Sequence, residues 1–167
     1  MSKQTEYVAG FAFTPDNRRV VLIRKNRPRW QEGKLNGVGG HIESGEKPLE
    51  AMIREFQEET SVRLESWIPF CELSGPGYQV HFFRTHIDAE RLLKLCSVTD
   101  EKILVKPIAR LLPWRCIPNV IWLIQMALSM TSREHVCGSV GFADTHDLCP
   151  GCVTIEPASG FVVKERW

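Results

Sequence analysis

Residues 48–60 read Pro48-Leu49-Glu50-Ala51-Met52-Ile53-Arg54-Glu55-Phe56-Gln57-Glu58-Glu59-Thr60, one helix with two unlike faces. Pro48 suits the first turn, where its missing N–H leaves no bond unmade. Leu49, Met52, Ile53 and Phe56 recur at i, i+3, i+4 and i+7, so one face packs into a core. Glu55, Glu58 and Glu59 fall within an arc of about 100° beside that stripe. Like charges one turn apart repel. A hard divalent cation with oxygen ligands would offset the repulsion, and Mg²⁺ would keep waters and substrate phosphates in its shell. These residues alone also fit an ordinary solvated acidic face.

Immediately upstream lies Leu35-Asn36-Gly37-Val38-Gly39-Gly40-His41-Ile42-Glu43-Ser44-Gly45-Glu46. Its glycines let the backbone approach a ligand closely, and N–H groups of such a loop can cradle phosphates. Loop and acidic helix together suggest a metal–phosphate site. Working outward, Tyr7 to Phe13 and Val20 to Ile23 predict a hairpin around Thr14-Pro15-Asp16-Asn17. Val62 to Leu73 and Tyr78 to Ile87 predict strands around Ser74-Gly75-Pro76-Gly77. Ala89 to Leu95 suggests a short helix, Ile103 to Leu111 a strand or irregular segment, and Asn119 to Met130 a very apolar helix. Val136 to Phe142 and Phe161 to Val163 suggest late strands.

Residues Gly40 to Val62 match the Nudix box, G-x5-E-x7-R-E-U-x-E-E-x-G-U, where U is bulky and apolar. Gly40 opens it, Glu46 follows, then Arg54-Glu55-Phe56, Glu58-Glu59 and Val62. The chain therefore resembles the Nudix hydrolases, over residues 5 to 130. The resemblance implies an α/β fold, a mixed β-sheet sandwiched between α-helices. It also implies attack of water on a phosphorus of a nucleoside diphosphate linked to another group. Glu58 and Glu59 would hold Mg²⁺, for which Mn²⁺ could substitute, with the Gly40 carbonyl close by. Glu55 would bind metal or act as general base, and Arg54 would orient the glutamates. Ser61 departs from the family glycine that ends this helix at positive φ. A slightly shifted helix end is expected there, with activity kept. Some members add an acidic ligand from outside the box. Asp100-Glu101 lies at a similar separation, and Glu101 is the candidate, with a solvated loop pair as the other reading.

The stretch before the box is similar to the Trp-Asn-Gly-Phe-Gly-Gly of MutT-like oxidised-purine nucleoside triphosphatases. That likeness makes Asn36 a candidate for the purine base, although Asn36 could equally make the Asn-Gly turn. Trp114 is the candidate aromatic face, and Asn119 sits near an acidic position of that group, unless it only caps the late helix. Trp122 and Ile124 read as core. Arg24 and Lys25, with Arg27 and Arg29, form a basic loop that could meet phosphates or simply be solvated. The implied activity is hydrolysis of a nucleoside triphosphate, 8-oxo-dGTP or another modified purine dNTP among the candidates, to monophosphate and pyrophosphate. The alternatives are an ADP-ribose, NAD(H) or dinucleoside polyphosphate pyrophosphatase, or a non-catalytic nucleotide sensor. A sensor would be expected to lose box carboxylates.

The chain has 167 residues, 43% hydrophobic and 25% charged, which predicts one domain with an extension from about residue 131. With 21 Lys and Arg against 20 Asp and Glu, the net charge is +1, and neither duplex nucleic acid nor a membrane is an expected partner. The expected partner is a small nucleotide. Met1 to Gly10 has no apolar run of the secretory kind, and six cysteines then suggest reduced thiols in a cytoplasm. Cys149-Pro150-Gly151-Cys152 is a CxxC that could bind zinc with His135 and Cys137, or with His146. Its irregular spacing favours ordinary cysteines.

Overall fold

A computed structural model describes residues 4–130 and 136–139. β1 (Thr5–Phe13) and β2 (Arg19–Arg24) form the expected hairpin, but they pair only at Ala12 with Val21 and Phe13 with Val20. Beyond that point the two strands separate. β3 (Leu35–Asn36) fills the opening by pairing with Ile23 and Arg24 of β2. The glycine-rich loop then continues antiparallel along β1. Gly10 and Val38 exchange backbone bonds of 2.7 and 3.0 Å, and the Val8 N–H reaches the Gly40 carbonyl at 2.9 Å. No side chain fits at Gly39, because a Cβ there would collide with the Val8 carbonyl oxygen.

On its other edge β1 runs parallel to β5 (Tyr78–His86), which is antiparallel to β4 (Ile68–Gly75). β7 (Val136–Ser139) lies parallel to β4, and β6 (Lys102–Pro107) is antiparallel to the whole of β2. The sheet is thus mixed. Its strands alternate in the manner of a doubly covered sheet. Phe11, Phe13, Val20, Leu22, Phe70 and Phe82 face one side, with Leu123 and Ile124 of α3 (Val120–Ser129). Val8, Ala12, Val21, Ile23 and Phe83 face the other, with Met52 and Phe56 of α1 (Pro48–Thr60). This is the expected α/β sandwich. α1 can approach β1 so closely because residue 10 is glycine; a Cβ there would lie 2.7 Å from Met52 and Trp67 atoms.

Some local expectations change. Residues 62–67 are not strand, and β4 starts at Ile68. Val62, Leu64 and Trp67 are buried with the α1-side cluster; the alternation of Val62 and Leu64 reflects burial without a ladder partner, and the three-residue step to Trp67 breaks it. Local bonds hold this segment: Val62 N–H donates to Thr60 Oγ1 at 3.2 Å and Trp67 Nε1 to the Leu64 carbonyl at 2.9 Å. α2 (Ala89–Leu93) is shorter than expected, capped by Asp88, whose side chain accepts from the Arg91 N–H at 2.8 Å. After β6 the chain makes two 3₁₀ turns, Ile108–Arg110 and Pro113–Arg115. The CxxC at Cys149 and Cys152 and the strand expected at Phe161 to Val163 lie outside the described residues.

Ser61 does not shift the helix end. It takes the left-handed conformation itself, φ 61° and ψ 7°, with its N–H on the Gln57 carbonyl at 2.9 Å. A non-glycine residue there costs roughly 1 kcal/mol. Ser61→Gly should therefore raise unfolding stability by about 1 kcal/mol, read as a higher denaturant midpoint at unchanged slope.

Candidate active site

Arg54 projects from α1 and bonds to four groups at once. Nε and Nη2 hold both oxygens of Glu46 at 2.9 and 2.8 Å. Nη2 also donates to the His41 carbonyl at 2.9 Å, and Nη1 to Glu55 at 2.9 Å and Glu58 at 3.1 Å. A planar guanidinium with five donors can do this, whereas an ammonium cannot. One side chain thus ties the glycine loop, the start of the box and two acidic helix positions together. Glu46 also accepts the Glu43 N–H at 3.0 Å, which closes the turn before the helix.

Glu55 is the most enclosed of the acidic trio. Burial raises its pKa above the usual carboxylate value, Arg54 opposes the rise, and the charges of Glu58 and Glu59 add to it. It lies against Gly40, where a Cβ would come within 2.5 Å of a Glu55 oxygen. Only glycine lets that carboxylate sit beside the loop backbone. Glu58 is 59% exposed. Glu59 turns to the segment after α2, where Thr99 Oγ1 donates to it at 2.6 Å. Arg54 and Thr99 draw the trio in different directions, so among the described residues no three ligating side chains already form a cage. The donors are nonetheless all oxygen, carboxylates beside a backbone carbonyl, with charge repulsion that a cation would relieve. That set fits a hard divalent cation.

Glu101 is not a solvated loop residue. It is 4% exposed. Its oxygens accept from Lys25 Nζ at 2.6 Å and from the Asn26 N–H at 2.8 Å. Asp100 is exposed; its carboxylate accepts from Arg27 at 2.7 and 2.9 Å and its carbonyl from Asn26 Nδ2 at 2.7 Å. These pairs fasten the basic loop to the segment that carries Thr99.

The expected base contacts divide between the two sides of β3. Asn36 pairs with Ile23, so it shares the α1 side, and its Oδ1 accepts the Gly37 N–H at 2.9 Å. Arg24 and Trp114 line a groove of about 560 Å³ with Leu35. A bridge of Leu35 with Cys116, and the Ile117 N–H on the Leu35 carbonyl at 2.9 Å, bring the start of α3 alongside β3. Asn119 does not cap α3 with its side chain, and its buried Oδ1 has no protein partner. Ile124 is core, as expected, and Trp122 packs against the same cluster. Thr99 was invisible to sequence reasoning, because it meets Glu59 across 40 residues with no motif between them.

A family model for the NUDIX domain matches residues 4–107. The chain belongs to the Nudix family. By class it is a hydrolase, a pyrophosphohydrolase, and Nudix hydrolases generally use divalent metal ions. Among solved structures, one described for MutT of Aliivibrio salmonicida and Vibrio cholerae is 21% identical, with a TM-score of 0.61 over 77% of this chain and 99% of that one. A MutT Nudix hydrolase from Burkholderia pseudomallei is 16% identical, with a TM-score of 0.62 over 74% and 97%. The Nudix domain of Shewanella oneidensis NrtR, solved with ADP ribose, is 18% identical, with a TM-score of 0.62 over 77% and 88%. At these identities the likeness is one of fold. A comparison with curated proteins finds no significant match. Among the described residues no helix of this Nudix protein is long and apolar enough to cross a membrane.

Glu46 ionises more readily in the folded protein, first because Arg54 hydrogen-bonds it. Its folded pKa lies below the unfolded one, so its stabilisation is complete at neutral pH. It is lost as pH falls through and below the usual carboxylate range. Glu46→Gln should cost about 1–3 kcal/mol at neutral pH and little in acid, flattening the acid limb of stability against pH. Denaturant unfolding at a series of pH values checks this.

Proposed function

We propose that this Nudix protein is a Mg²⁺-dependent pyrophosphohydrolase that cleaves a nucleoside triphosphate to monophosphate and pyrophosphate, with Mn²⁺ able to replace Mg²⁺. The observation that carries the reading is the gathering of Glu55 and Glu58 with the glycine loop through Arg54. In it Glu58, Glu59 and Glu55, with the Gly40 carbonyl, would hold the metal. When bound, such a cation activates water and neutralises charge building on phosphate oxygens. Arg54 fixes the glutamates at the loop, as a positioning residue. Glu55, raised in pKa by its burial, holds metal or accepts the proton of the attacking water. Glu101, the further acidic candidate for the metal, is held by Lys25 Nζ and the Asn26 N–H.

A modified purine such as 8-oxo-dGTP is our first candidate for the base. The support is Asn36, in the sequence position of the purine-binding group, and the unpartnered Oδ1 of Asn119, which can accept a hydrogen bond from a base edge. ADP-ribose is the second reading, because the NrtR domain solved with that ligand is as close in fold as the MutT structures. The reading takes the chain as one domain, extended from about residue 131, acting on small nucleotides in the cytoplasm.

The test is product analysis by mass spectrometry with Mg²⁺, over dNTPs, 8-oxo-dGTP, ADP-ribose, NADH and diadenosine polyphosphates. Preferred release of pyrophosphate from a triphosphate is expected, and preferred cleavage of ADP-ribose or a dinucleotide would overturn the substrate. Glu58→Gln should lower turnover about a hundredfold or more while the melting curve stays put, since the side chain is largely exposed. Full activity in that variant would remove Glu58 from the site.

A further inference from the structure

The groove beside β3 carries a charge pattern that the proposed chemistry does not use. Arg24, Lys34, Lys106, Arg110 and Arg115 line it, with Glu32 as its one carboxylate. Among the described residues none of these five cations is in an ion pair. By contrast Arg54, Lys25 and Arg27, at the acidic helix and the basic loop, all have carboxylate partners. Five like charges around one opening repel, and a bound polyanion would relieve that.

Trp114 stands at the same opening and is 73% exposed. It is not on a loose loop. The 3₁₀ turn Pro113–Arg115 holds it, the Cys116 N–H closes on the Pro113 carbonyl at 3.1 Å, and Cys116 is bridged to Leu35. An exposed aromatic face fixed on a rigid turn is a stacking platform. Lysines on a sheet edge can simply deter edge pairing. That accounts for Lys106 on β6 but not for Arg110, Arg115 and Trp114, which lie in the turns after the strand.

The groove is also apart from the acidic helix. Leu104 packs with the α3-side cluster and Lys106 follows it by two residues, so Lys106 is on the α3 side of the sheet while α1 covers the other. Cations tracking a groove beside an aromatic platform are what an unpaired strand requires, with bases stacking and phosphates meeting charge. We propose that this groove binds single-stranded nucleic acid, with one base stacked on Trp114 and neighbouring phosphates held by Lys106, Arg110 and the cations beside them.

Fluorescence anisotropy of labelled octanucleotides, one oligothymidylate and one oligouridylate, tests this in EDTA, so no hydrolysis is needed. Binding should weaken about 50-fold between about 50 and about 200 mM salt, as roughly four neutralised phosphates require. Lys106→Glu combined with Arg110→Glu should lower affinity roughly tenfold or more, and Trp114→Ala roughly tenfold, with Trp114→Phe retaining most of it. A duplex of the same length should bind more weakly, because its bases are hidden. The double charge reversal should leave nucleoside triphosphate hydrolysis unchanged. No binding at low salt, or equal binding by the charge-reversed protein, overturns the proposal. So does complete displacement by a single nucleotide at the strand's own concentration. A protein that binds strands but hydrolyses nothing keeps this inference and refutes the reading of the acidic helix, so the two can fail separately.

Discussion

The Arg54 guanidinium is the constraint on which the site depends. It sits between the glycine loop and the acidic helix and bonds Glu46, Glu55, Glu58 and the His41 carbonyl. Without it the helix would carry a like-charged run with nothing to hold it against the loop. With it, neighbouring carboxylates keep fixed directions before any ligand arrives. The stabilisation is local and charge-assisted, and it acts in a partly enclosed place where screening is weak. Placing the glutamates is thus a folding interaction as much as a functional one.

A second constraint makes room for the first. β1 and β2 separate after two residue pairs, and the loop from Leu35 to Ile42 enters the gap. The loop borrows the backbone bonds that β2 leaves unmade on β1, so its own polar groups are satisfied although it is not a regular strand. This presents Gly40 to Glu55. Glycine is required at both ends of the arrangement, at residue 10 for α1 to approach and at residues 39 and 40 for the loop to lie flat.

The segment from Cys96 to Glu101 couples the site to the basic loop. The Cys96 and Val98 N–H groups bond the last turn of α1, Thr99 reaches Glu59, and Glu101 holds Lys25 and Asn26. Charge is organised by locality throughout. A chain of net charge +1 carries an acidic helix on one side of its sheet and a cationic groove on the other. Net charge said nothing of either, because it sums over the separation that matters.

The sequence by itself determined the helix from Pro48 to Thr60, its acidic face, the apolar face at Met52, Ile53 and Phe56 though not at Leu49, which is 42% exposed in the first turn, the hairpin, the late helix and the Nudix family. Each is written in short-range periodicity or in a motif whose spacing is local. It could not determine where Val62 to Trp67 would go, since alternate burial looks the same with or without a ladder partner. Nor did it show that Glu101 closes on Lys25, that Thr99 meets Glu59, or that Asn36 and Trp114 lie on different sides of β3. Those contacts join residues far apart in the chain, and strand pairing and sheet parity decide them. The physical reason is that propensity and pattern act over a turn or two, while the direction of a carboxylate is set by whichever distant donor the fold brings beside it.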